Sequence, residues 1–180
     1  MNFLERIKFV LTAPSKFFNA VKNERGFRRP FLFYFLLSIV YSAGTFLTLL
    51  LFVSAEALES IVPGFIYLIV PVGWVLGILS SFVIPALFHV FVYLLGGKKG
   101  FLQTYKSYIY SLTPELLVGW LPVIGTITSL YSLFYLFPKG LSIQQKITMG
   151  RALLVVAIPM VILLALLLGL IVFGVLAGAV

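Results

Sequence analysis

An all-α, polytopic membrane bundle of five transmembrane helices, preceded by amphipathic helices at the bilayer interface, is the fold class this sequence predicts. Three observations lead to it. Of 180 residues, 62% are hydrophobic and only 10% charged, where a soluble domain carries about 25% charged residues; a water-soluble fold of this length has nowhere to hide so much apolar surface. The apolar residues form long uncharged runs, and about 20 residues rising 1.5 Å each cross the hydrocarbon core. All 13 basic residues lie in segments that share one side of the bilayer when the number of crossings is odd.

Residues 1–29 read as a cytoplasmic, interfacial segment and residues 30–180 as the membrane domain. In "NFLERIKFVL", Phe3, Leu4, Ile7, Val10 and Leu11 recur at helical spacing opposite Glu5, Arg6 and Lys8. "TAPSKFFNAVKNE" starts a second short helix, with Thr12 as its expected cap and Pro14 in its first turn. Phe17, Phe18 and Val21 face one way there, and Lys16, Asn19 and Lys22 the other. Both helices are expected in the headgroup plane, drawn to anionic lipid. "LSIQQKITM" is expected to form a third, with Ser142 and Gln145 as a capping box. Because mostly polar or amphipathic residues precede the first apolar run, no secretory signal is expected.

The five spans are placed at about residues 31–53, 67–95, 104–121, 123–137 and 151–175. The second contains Pro71 and Pro85 and should be kinked or tilted. The third and fourth are one run broken by the turn signals Gly119, Pro122 and Gly125. Arg6, Lys8, Lys16, Lys22, Arg25, Arg28 and Arg29 precede the first span; the loop after it holds only Glu56 and Glu59. Lys98, Lys99 and Lys106 flank the third span, and Lys139, Lys146 and Arg151 separate the last two. This distribution puts the N-terminus in the cytoplasm and the C-terminus outside it.

The chemistry is sparse. There is no cysteine and no aspartate, and His89 is the only histidine, so no metal site and no cofactor are expected. Phosphate-loop, zinc-protease and serine-hydrolase signatures are missing, and the expectation is a protein that is not an enzyme. "GGKKG" is a cytoplasmic turn whose Lys98 and Lys99 meet lipid phosphates; nucleic acid is not an expected partner.

Glu115 is the leading intramembrane candidate. It lies roughly 16 Å beyond Thr104 along the third span, and an ionisable residue at such depth is a functional hypothesis by default. Pro114 deprives the Tyr110 carbonyl of its helical donor, and Thr113 or a protonated Glu115 is expected to replace it. His89 lies in the second span, with Tyr93, Tyr105, Tyr108 and Tyr110 as expected partners; a pair with Glu115 requires tilt or the Pro85 kink. Gly73, Gly77 and Ser81, and Gly174 and Gly178, recur every fourth residue and allow close helix packing or a homo-oligomer.

Two long stretches carry a resemblance. "LTAPSKFFNAVKNERGFRRPFLFYFLLS" and "HVFVYLLGGKKGFLQTYKSYIYSLTPELLVGWLPVIGTITSLYSLFYLFPKGL" are similar to the YIP family, the Ypt/Rab-interacting five-span membrane proteins. The matching features are Pro14, Phe17 and Phe18, the loop Gly96–Gly97, the run from Tyr105 to Pro114, and Pro122 with Gly125. The resemblance implies a membrane adaptor of vesicle-traffic type with a GTPase or membrane partner protein. The short segment before the first span points to a prokaryotic, archaeal-like member.

The expected function is thus a non-enzymatic scaffold that binds partners or lipids at a basic cytoplasmic face. Lys16, Phe17, Phe18, Lys22, Arg25, Arg28, Arg29, Lys98 and Lys99 are its candidate contacts. The alternative is a small channel or transporter for protons, ions or a small solute, using Glu115 and His89. No internal repeat was found, and five spans do not divide into equal halves, which lowers that alternative.

Overall fold

A computed structural model describes residues 1–54 and 66–178. The regular structure among the described residues is all helical: α1 (Phe3–Thr12), α2 (Pro14–Ala20), α3 (Arg28–Phe52), α4 (Ile66–Leu94), α5 (Phe101–Ser111), α6 (Thr113–Val118), α7 (Pro122–Tyr131), α8 (Phe137–Gln144) and α9 (Met149–Gly178), with a π-turn at Ser132–Leu136 joining α7 to α8. Glu56 and Glu59 of the first loop lie outside the described residues.

Three helices are long and apolar enough to cross a membrane: Arg28–Phe52, Leu68–Leu94 and Met149–Gly174. Only 17%, 17% and 11% of their most apolar stretches are buried within the protein, so the rest requires lipid. These match the first, second and fifth expected spans. The third and fourth take another form. Residues 101–144 fold as a hairpin of short helices, with α5 and α6 rising and α7, the π-turn and α8 returning. Pro114, with no N–H to give, separates α5 from α6 at Leu112, and the π-turn adds an extra residue per turn to the descending arm. Each arm is therefore a jointed pair rather than one straight span.

The hairpin is the centre of the molecule. α5 packs against α8 and α4, α6 against α3, and α8 against α2 and α9. Gly140 allows the α2–α8 approach: a Cβ there would sit 2.9 Å from the Phe18 ring and 3.1 Å from Ser107 Cβ. At the far end, the Trp120 ring lies directly on Gly44 of α3, where any Cβ would overlap it, and the Trp120 carbonyl accepts from Thr48 Oγ1 at 3.1 Å.

The N-terminal helices differ from expectation in what covers them. Much of their apolar face meets protein: Val10, Phe17, Phe18 and Val21 are fully buried, whereas Leu4 and Leu11 stay exposed. Phe17 packs edge-on to Tyr110 with ring centroids 5.0 Å apart. Phe17 and Phe18 are hence core residues and not a partner or lipid surface, because the hairpin offers them a closer apolar partner than the interface does. Two expected caps also fail. Thr12 closes α1 by donating to the Lys8 carbonyl, while Ala13 precedes Pro14 as the α2 cap position. No helix starts at Ser142; that residue lies inside α8, which ends at Gln144. The capping box in the structure is Asn2 with Glu5.

Candidate functional site

Two polar regions lie in this fold, one at the basic end and one between the long helices. At the basic end, the α1–α2 layer is stitched to the hairpin. Lys106 is fully buried on α5, and its Nζ donates to the carbonyls of Val21, Lys22 and Glu24 at 3.0, 2.9 and 3.1 Å. It caps the chain leaving α2, where several carbonyls have no helical donor. Beside it, Arg6 pairs with Glu24, Arg6 Nη1 donates to the Tyr110 hydroxyl at 3.0 Å, and that hydroxyl donates to Glu24 at 2.8 Å. Burial alone would push the Glu24 carboxyl up, but the hydrogen bonds from Arg6 and Tyr110 outweigh it and hold the group below the ordinary range. Burial likewise pulls on Arg6, and Glu24 and Tyr110 together outweigh that, keeping the guanidinium firmly charged.

A second set of ties surrounds Gln145. Its Nε2 donates to the Gly100 carbonyl and to Thr104 Oγ1, each at 2.9 Å, and its Oε1 accepts from the Lys99 backbone at 2.9 Å. His89 Nδ1 meets Thr104 Oγ1 at 2.8 Å. His89 therefore bonds across helices as expected, but to Thr104 rather than a tyrosine. It lines neither of the cavities that reach Glu115, so no His89–Glu115 pair forms. Gln144 adds a bond to the Phe18 carbonyl at 3.1 Å.

With these groups consumed internally, the outward-facing cations stand out. Lys8, Lys16, Arg25, Arg28, Arg29, Lys98, Lys99, Lys146 and Arg151 are exposed, and Lys22 is half-buried. Of the acids described at this end, Glu24 is paired with Arg6 and Glu5 bonds back to Asn2.

Between α3, α4 and the rising arm lies a cavity of about 510 Å³. Tyr34, Tyr41 and Ser42 line it from α3, Trp74 and Ser80 from α4, and Tyr108 and Glu115 from the hairpin. Tyr34 donates to the Gly77 carbonyl at 3.0 Å and Trp74 Nε1 to Ser38 Oγ at 2.9 Å, bracing the walls. A second cavity of about 310 Å³ adjoins the descending arm at Ser129 and Ser132. Glu115, half-buried, borders both. Pro114 is buried and aims this turn; Thr113 Oγ1 donates to the Tyr110 carbonyl at 2.7 Å, supplying the bond that Pro114 cannot. Gly73 opens onto the larger cavity, with no atom within 4 Å of where a Cβ would stand. The Gly73–Gly77–Ser81 row thus makes room at Gly73 instead of a tight helix contact there.

Sequence reasoning overlooked Arg6, Glu24, Lys106, Thr104, Gln144 and Gln145 as ties. The available signal was polar side chains inside stretches otherwise apolar, notably Lys106 one turn into a helix.

Apolar spanning helices around a jointed hairpin, with a cation-rich end, define a helical integral membrane protein. The family model of the Yip1 domain matches residues 8–171, and the chain belongs to that family. No curated protein and no solved structure matches it.

Proposed function

We propose that the protein is a non-enzymatic membrane scaffold whose exposed basic face gathers anionic lipid headgroups on the cytoplasmic side. The observation that carries this reading is the surplus of exposed cations at one end, left free because Lys106 and Arg6 are used inside the fold and Glu24 is neutralised there. Each such cation near an anionic surface contributes about 1 kcal/mol of attraction. Membership of the Yip1 family favours an adaptor over an enzyme.

The reading includes five crossings, with the N-terminus cytoplasmic and the C-terminus outside. Gly44, where the hairpin turn docks, is 44 − 28 = 16 residues from the start of α3, or roughly 24 Å along that helix. Arms of that reach traverse most of a bilayer. An up-and-down hairpin leaves the side of the C-terminus unchanged whether its tip fully emerges or not.

In nanodiscs of mixed phosphatidylglycerol and phosphatidylcholine, native mass spectrometry should find phosphatidylglycerol enriched on the wild type. Changing Lys16, Arg25, Arg28, Arg29, Lys98 and Lys99 to Gln should remove most of that enrichment. Unchanged enrichment would overturn the lipid reading, as would retention of an acidic protein partner with no lipid preference. Because the chain has no cysteine, Leu4→Cys and Ala177→Cys can be labelled singly with a membrane-impermeant maleimide. Labelling of both from the same side would refute the orientation.

A further inference from the structure

We infer that the cavity at Glu115 is a binding site for an alkylammonium group, a function separate from the basic face. The cavity, at about 510 Å³, falls in the range of small-molecule sites, about 300–1,000 Å³. No lysine, arginine or histidine lines it or its neighbour. Among the described residues, the one group lining it that can carry a formal charge is Glu115, which bonds to Ser129, and a carboxyl away from bulk water ionises most readily when a cation sits beside it. An anionic ligand finds nothing there to meet it.

The rest of the lining selects among cations. A bare metal ion would want several carboxylate, imidazole or thiolate ligands, and among the described residues no such group of three exists. What surrounds Glu115 instead is aromatic rings and hydroxyls. Tyr34, Tyr41, Trp74 and Tyr108 line it from α3, α4 and α5, and Ser42 and Ser80 stand among them. Ring faces attract an ammonium through their quadrupole, most strongly where water is scarce, and a carboxylate completes such a cage. Hydroxyl oxygens accept from an ammonium N–H. Gly73 keeps the α4 wall open, since any larger residue would project into unoccupied space there.

Position fits the same ligand. The lining runs along α3 from Tyr34 to Leu49, and from Ser38 onward it lies more than two helical turns from Arg29, the last exposed cation of that helix. The ammonium therefore meets Glu115 away from competing cations of the protein itself. Two sources supply this chemistry, a free amine or the amine headgroup of a lipid entering between α3 and α4.

The test uses the full chain in nanodiscs made of phosphatidylglycerol alone. One arm titrates choline and ethanolamine by calorimetry; the other adds trace phosphatidylethanolamine and reads its retention by native mass spectrometry. Saturable binding in either arm supports the site, and the arm that responds identifies the source. Glu115→Gln should weaken that binding about tenfold or more, as loss of a charge-assisted contact implies. Gly73→Leu, entering open space, should block it while leaving the fold intact. Phosphatidylglycerol enrichment by the basic face should be the same in both variants, so failure here is distinguishable from failure of the scaffold reading. No saturable binding in either arm, or binding by Gly73→Leu equal to wild type, overturns the inference. Should Glu115→Gln fail to fold, Gly73→Leu alone decides.

Discussion

Lys106 and Leu164 sit in helices of one chain under opposite rules. Lys106 is fully buried, in a region where α1, α2, α5 and α8 interlock and polar side chains find partners across elements. Leu164 is 58% exposed on α9, along with nearly every side chain from Val161 to Phe173. The basic end is organised as a soluble domain is, by jigsaw packing and directed hydrogen bonds. The long helices leave most of their surface to hydrocarbon, where a leucine gains little from a protein neighbour that lipid would not also give. Specificity of assembly is therefore concentrated at one end.

Substitutions should separate the two regions by size of effect, measured as unfolding free energy in bicelles. Phe17→Ala, which empties a fully buried ring site, should cost about 3–5 kcal/mol; a loss below about 1 kcal/mol would mean the N-terminal layer docks loosely. Lys106→Met keeps the stem but removes three charged hydrogen bonds, although the Val21 carbonyl keeps the Glu24 backbone N–H; because Met also avoids the cost of burying an ammonium, the net loss should be about 3 kcal/mol.

Tyr110→Phe removes the hydroxyl shared by Arg6 and Glu24 and should cost about 1–2 kcal/mol. It should also flatten the acid limb of stability. Glu24 is held below its ordinary value of 4.5 in the folded protein, so its contribution is complete above that value and disappears as pH falls through the lower, folded one. A wild type with the same acid limb as Tyr110→Phe would show that this network is not what holds Glu24 ionised. Leu164→Ala should change stability by less than about 0.5 kcal/mol. A larger loss would show that α9 has a protein neighbour in the membrane.

The same contrast explains how much the sequence revealed. The long helices were readable because their signal is local: a run of apolar residues needs no knowledge of what lies beside it, and α3, α4 and α9 stand within a few residues of the expected limits. The positions of Glu115, Thr113 and Pro114 were legible for a similar reason, as the missing N–H of Pro114 and its replacement by Thr113 concern neighbours in the chain. The N-terminal amphipathic pattern was also visible, but a pattern shows that a face is apolar and not what covers it. The pattern at Phe17 and Phe18 fits lipid or a partner equally well, whereas in the fold α5 and α8 cover them. Lys106 and Gln145 bond to groups 82 to 85 and 41 to 46 residues away, separations at which spacing carries no information. The cavity was hidden because it belongs to three elements at once.

The buried ammonium of Lys106 has a consequence for biogenesis. A hairpin that carries two lysines, two glutamines and a glutamate is a poor passenger into lipid by itself, whereas α3, α4 and α9 partition on their own hydropathy. The residues that satisfy Lys106 belong to the stretch just after α2, which leaves the ribosome some eighty residues earlier. The nascent chain thus makes the receptor before the part that needs it, and the hairpin can settle into a half-built protein instead of bare membrane.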